Sequence, residues 1–214
     1  MKTIQEIYEK VILEVKKELY YNVDEKEAIK IVKKNGNKIQ HIKDPSEEVQ
    51  LAAVKNYPQA LFYIKNPSEA VQLAAVSKDE RAIQYIKNPS EKIQLAAIKT
   101  FPAIIHWIDE IVGTSDKVKL YAVNLDGDVI NHIKNPSEKI KLAAIKNNPY
   151  SIRFIKNPSE KLQLLAIKNN SAVIDGIENP TENVQLLAVQ QDKFSIRFIK
   201  NPTEKVKNIA NQIK

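Results

Sequence analysis

The chain has no cysteine and only four glycines among its 214 residues. Without cysteine it has no disulfide, no thiolate zinc site and no cysteine nucleophile. The four glycines, Gly36, Gly113, Gly127 and Gly176, are dispersed, so no glycine-rich loop is present to cradle a phosphate. Neither Gly-x-Ser-x-Gly nor His-Glu-x-x-His occurs. No apolar run approaches the ~20 residues that a bilayer-spanning helix requires. From Met1 to Tyr21 charged and apolar residues are mixed, unlike the continuous apolar stretch of a signal peptide. These absences predict a cytoplasmic protein that is not an enzyme, uses no cofactor and has no membrane association.

Among what is present, 43% of residues are hydrophobic and 28% charged, enough to bury a core and remain solvated. The formal net charge is +7. Excess lysine fits an acidic or nucleic-acid partner, and equally a genome whose codons favour Lys, Asn and Ile.

The dominant feature is an internal repeat. Pro45, Pro67 and Pro89 lie 22 residues apart, as do Pro136, Pro158, Pro180 and Pro202. The consensus is N-P-S-E-K-I-Q-L-A-A-I-K-N-N-P-Y-S-I-R-F-I-K, with repeats starting near residues 22, 44, 66, 88, 113, 135, 157, 179 and 201. Each repeat reads as two helices. In Asn-Pro-Ser-Glu the asparagine is expected to cap, the proline to take the first helical position, and the glutamate to reach back to the cap amide. A helix of about 12 residues and a second of about 7 follow from the spacing of the prolines. The second starts at Asn148-Pro149, Tyr57-Pro58 or Phe101-Pro102, or under a cap from Asp79 or Asp192.

With the Asn of Asn-Pro as position 1, positions 6, 9, 10 and 13 of the first helix share one face, and 8 and 11 the other. Around Asn135 these are Ile140, Ala143 and Ala144 against Leu142 and Ile145. In the second helix positions 17, 18, 20 and 21 face inward, as in Ser151, Ile152, Phe154 and Ile155. Apolar faces on two sides demand neighbours, so stacking is obligatory. Residues 1–21 read as an N-terminal capping helix, with a capping box at Thr3-Ile4-Gln5-Glu6 and a stripe of Ile4, Ile7, Val11, Val15 and Leu19. Asn208 and Asn211 replace apolar residues in the last repeat, as expected of a C-terminal cap and a complete array. The fold expected is an all-α, right-handed-type α-solenoid over residues 22–214.

The Asn-Pro-Ser-Glu start followed by Gln-Leu-Ala-Ala-Ile-Lys resembles the short helical repeats of leucine-rich-variant proteins. It is also similar to a bacterial and phage repeat family of unknown function, and more distantly to HEAT and armadillo solenoids. The resemblance spans residues 22–214 and implies a binding surface with no catalytic residues. A phage or mobile-element inhibitor that binds a host defence complex is a further alternative that it alone implies.

Positions 16, 19 and 22 of the second helix face outward and vary. They supply the candidate partner-binding residues Phe62, Arg81, Tyr150, Arg153, Lys156, Phe194, Arg197 and Lys200. Aromatics and arginine dominate binding hot spots, so a protein partner is expected here. Packing of Tyr150 and Phe194 on the next repeat is the competing explanation. In two repeats the outward triads are Ala103, His106, Asp109 and, by nearest match, Val129, Asn131, Lys134. Positions 5 and 12 of the first helix carry Lys92, Lys99, Lys117, Lys139, Lys146, Lys161 and Lys168, a basic stripe suited to nucleic acid, or simply a solvated face. The aromatics Tyr63, Tyr85, Trp107, Phe154 and Phe198 at position 20 read as core packing. Three extra residues after Asp109 mark an irregular centre, read as a bend, where Thr114 or Ser115 caps. His106, His132 and an acid lie close to it, but in no known metal-ligand spacing.

Overall fold

Serine and threonine, not asparagine, start most of the α-helices of this protein, and Asp24 caps the helix Glu25–Lys34. The computed structural model describes residues 3, 8–12, 15 and 23–213. Ser46, Ser68, Ser115, Ser159, Thr181 and Thr203 each accept a hydrogen bond from the backbone N–H three residues on. The asparagine two residues earlier has a different task. Asp44, Asn66, Asn135 and Asn157 adopt φ between 46° and 50°, the left-handed turn that short polar side chains tolerate best. Proline then follows outside the helix rather than as its first residue.

The chain forms two compact units, 1–100 and 101–214. In the first, α1 (Glu25–Lys34), α2 (Glu47–Asn56), α3 (Glu69–Lys78) and α4 (Glu91–Thr100) alternate with η1 (Gly36–His41), η2 (Pro58–Tyr63) and η3 (Glu80–Tyr85). In the second, η4 (Pro102–Ile104) and α5 (Ile105–Ile111) precede α6 (Asp116–Leu125), α7 (Glu138–Asn147), α8 (Glu160–Asn169), α9 (Glu182–Gln191) and α10 (Glu204–Gln212). Between these last run η5 (Gly127–His132), η6 (Pro149–Phe154), η7 (Ser171–Gly176) and η8 (Lys193–Phe198). Each unit is an all-α repeat solenoid in which α-helices stack on sequential α-helices and η segments on sequential η segments. The expected N-terminal capping box and the stripe residues Ile4, Ile7 and Leu19 lie outside the described residues; Val11 and Val15 are helical and exposed.

Except in the irregular central repeat, where η4 passes into the α-helix α5, the second segment is a 3₁₀-helix rather than a short α-helix. Asn35, Asp79, Asp126, Asn148, Asn170 and Asp192 cap it by accepting from the N–H two residues on. A 3₁₀-helix rises ~2.0 Å per residue, so six residues cover ~12 Å and nearly match a ten-residue α-helix of ~15 Å. Its three-residue turn puts positions 18 and 21 on one face. Leu61 and Ile64, Ile83 and Ile86, and Ile152 and Ile155 are accordingly buried.

In the α-helices positions 6, 10 and 11 are buried, as in Ile140, Ala144 and Ile145, while Leu142 and Ala143 are half-buried. Each buried isoleucine contributes about 1.5–3 kcal/mol by leaving water. Position 13 does not join the core. There Asn56 and Asn147 hold the preceding repeat through hydrogen bonds, to Lys33 O and Gly36 N, and to Asn124 O and Gly127 N. In α10 Val206 and Ala210 are buried, and Asn208 and Asn211 are exposed.

Most of the serines and threonines at the helix starts also bond across the stack. Ser46 donates to Glu25, Ser68 to Glu47, and Ser90 to Glu69 at 2.7 Å. In the second unit Ser137 donates to Asp116 at 3.1 Å, Ser159 to Glu138 at 3.2 Å and Thr181 to Glu160 at 2.8 Å. The first-turn acid thus serves the next repeat's cap, not its own. The Ser90 hydroxyl, then Lys92, holds the Glu69 carboxyl below its ordinary range; Thr181 and Asn183 do the same for Glu160.

Candidate partner-binding face

The three-residue turn of the η segments aligns positions 16, 19 and 22 on the side away from the core. In the first unit Phe62 is 66% exposed and meets Tyr63 and Tyr85 edge-on at 5.2 and 5.6 Å. Arg81 is exposed, but its guanidinium is held by two 2.9 Å hydrogen bonds to Asp79, the cap of its own segment. That bond lowers the Asp79 carboxyl and raises the Arg81 guanidinium from their usual values.

In the second unit Arg153 stacks over Phe154 at 4.6 Å and reaches Asp128 at 3.3 Å. Arg197 stacks over Phe194 at 4.7 Å. Tyr150 is exposed, and its hydroxyl accepts from Asn170 of the next repeat at 3.3 Å. Phe194 is 51% exposed. Arg153, Lys156 and Lys200 come together around two adjoining grooves of about 550 and 430 Å³. Gly176, Ile177, Glu178 and Asn179 line both grooves. Tyr150, Phe194 and Arg197 line neither.

Three expectations change. The position-20 aromatics are not core: Tyr63 and Phe198 are 41% and 51% exposed, and Tyr85, Trp107 and Phe154 are half-buried. At Tyr63, Tyr85, Phe154 and Phe198 a 3₁₀ turn carries position 20 to the flank of the segment; Trp107 stands instead on the α-helix α5. Val129 is buried, and Asp128 occupies the outward position, accepting from Asn148 at 2.9 Å and Ser151 at 2.8 Å. Asp109 faces the protein as well. It accepts from Thr114 N at 3.0 Å and Thr114 Oγ1 at 2.6 Å and pairs with Lys119 at 3.3 Å.

Asp109 therefore staples the irregular centre. Gly113, at φ 70°, turns the chain out of α5, and Ser115 caps α6. Burial raises the Asp109 carboxyl, but the Thr114 and Lys119 bonds and the Lys119 charge outweigh it, so the net shift is downward. His106 and His132 lie 5.3 Å apart between ring centres. Among the described residues no three His, Asp or Glu side chains are grouped to hold a metal ion, and no helix is long and apolar enough to cross a membrane.

The lysines of positions 5 and 12 are exposed: Lys92, Lys117, Lys139 and Lys161 near the helix starts, Lys99, Lys146 and Lys168 near the ends. The former share their ridge with the first-turn acids. Lys92 pairs with Glu69 at 3.4 Å, and Lys205 with Glu182 at 3.7 Å. Within each unit a phosphate backbone laid along these helix starts would meet carboxylates beside the lysines.

Gly176 and Gln163 escaped the sequence reading of the site. Gly176 left a trace, since with His132 counted it is the one residue without a ring at position 20 of the repeats from 44 to 200. No family model matches the chain, and neither does any curated protein or solved structure.

Proposed function

We propose that the protein is a non-catalytic scaffold that binds another protein through the outward face of its η segments. The observation behind this reading is the set of large side chains that the fold does not require. Phe62, Phe194 and Phe198 each leave half or more of their surface in water, apolar area that a protein partner would bury. Arginines stacked at 4.6–4.7 Å on neighbouring rings lose little freedom on binding. Arg81, fixed on Asp79, is held in one geometry in the same way.

The test is capture of a partner by the tagged full chain, with and without nuclease. A discrete protein should survive nuclease treatment and be lost from the Arg153→Glu/Arg197→Glu variant. Full retention by that variant would reject this face. Recovery of nucleic acid alone, released by modest salt, would reject protein binding.

A further inference from the structure

Position 20 carries a ring in repeat after repeat: Trp107, His132, Phe154 and Phe198 in the second unit, but glycine at Gly176. The fold does not need glycine there. Its φ is not in the left-handed region, and a Cβ would stand in ordinary contact, 3.4 Å from Arg153 Cβ. Gly36 and Gly127 are different, since their added Cβ atoms would lie 2.5 and 2.6 Å from a carbonyl oxygen. The missing ring is what opens the two grooves, both lined by Gly176.

A second observation marks the same place. Gln163, 6% exposed, lines the larger groove and donates to Pro158 O at 2.9 Å, yet its Oε1 has no hydrogen-bond partner. One repeat on, Gln185 Oε1 accepts from Thr203 N. Buried acceptors rarely stay unpaired. Around the opening, Lys156 and Lys200 stand one repeat to either side of Gly176, while Asp175 and Glu178 occupy the middle repeat.

We infer that the gap at Gly176 seats a tryptophan or tyrosine from a partner's peptide segment, with acidic residues on both sides of it. This rests on the protein-binding reading above. The guest ring completes the aromatic series between Phe154 and Phe198, and its N–H or O–H satisfies Gln163 Oε1, closed off in the empty groove, once the Gln163 side chain swings toward the guest. Carboxylates before and after the ring pair with Lys156 and Lys200. A nucleic-acid strand fits less well, because its phosphates would pass Asp175 and Glu178. The adjacent rungs are also filled by the protein's own rings, leaving room for one base where stacking platforms take several.

The test is selection of a random peptide library on the full chain, with Gly176→Phe as the counter-target. Peptides with Trp or Tyr between acidic residues should be enriched and bind Gly176→Phe about tenfold or more weakly, while its melting temperature is unchanged. Lys156→Glu/Lys200→Glu, altered only at exposed positions, should lose the acidic preference. Peptides that bind wild type and all variants equally would overturn the seat but leave the wider face in place. Failure to enrich any peptide would overturn the seat, while the wider face stands or falls with the capture experiment. A labelled oligothymidylate that binds wild type and not Gly176→Phe would assign the gap to a base and overturn the peptide.

Discussion

Asn147 holds Gly127 of the preceding repeat: its Oδ1 accepts the Gly127 N–H at 2.7 Å, while its Nδ2 donates to Asn124 O at 2.9 Å. Asn56 does the same for Gly36 and Lys33, both at 2.8 Å. One amide thus closes two backbone groups that an α-to-3₁₀ junction leaves open. Asn147→Ala should cost about 1–3 kcal/mol, seen as a lower urea midpoint. Gly127→Ala should also destabilise, because its Cβ would meet Ala144 O at 2.6 Å. Gly176→Ala should stay within about 0.5 kcal/mol of wild type.

Ser151 and Ser195 occupy the same position and are both buried, but only one is satisfied. Ser151 donates to Asp128 at 2.8 Å. Ser195 Oγ has no partner, since Ala172 stands where Asp128 does in the earlier repeat. Ser151→Ala should therefore cost about 1 kcal/mol, and Ser195→Ala should be neutral or stabilising. Equal losses in thermal melts of the two variants would contradict this accounting.

Aspartate is ordinarily as good an N-cap as serine. At Ser159 it should not be, because the residue must also donate to Glu138. Ser159→Asp keeps the cap and sets two carboxylates together, so it should melt below wild type and recover with added salt. Ser159→Ala, which loses both bonds, should cost about 0.5–2 kcal/mol without salt recovery.

Asp109 predicts a pH dependence. Its folded carboxyl lies below the ordinary value, so its contribution is full above the usual carboxylate range. That contribution fades as pH falls through the depressed value. The Asp109 side chain is 8% exposed, and Asp109→Asn leaves Lys119 unpaired, at a cost of about 1–3 kcal/mol at neutral pH. The gap between variant and wild type should narrow in acid, and a gap constant from neutral to strongly acidic pH would rule the staple out.

The period, the two-segment repeat and the caps at Asp79, Asn148 and Asp192 were legible in the sequence because each rests on local chemistry. The cap of the first helix was misread, because Asn-Pro-Ser offers two capping residues and only the backbone shows that Asn66 has turned left-handed. The outward triads have a spacing of three, the 3₁₀ period itself, and reading them as α-helical placed Phe198 in the core. Bonds such as Ser90 to Glu69 and Asn147 to Gly127 join residues about 20 apart and exist only once repeats stack. The gap at Gly176 takes its meaning from neighbours 22 residues away on both sides.

The serine-to-acid bonds all span 21 residues, and the asparagine clamps span 20 and 23. Every one connects a repeat to the one directly before it, with the same offset each time. Inserting or deleting a single residue breaks these bonds at the site of the change, whereas adding or removing 22 preserves them all. Such a gene can lengthen by unequal recombination without inventing a new interface. Its length is then a heritable ruler, and individual rungs, such as the one emptied at Gly176, are free to diverge.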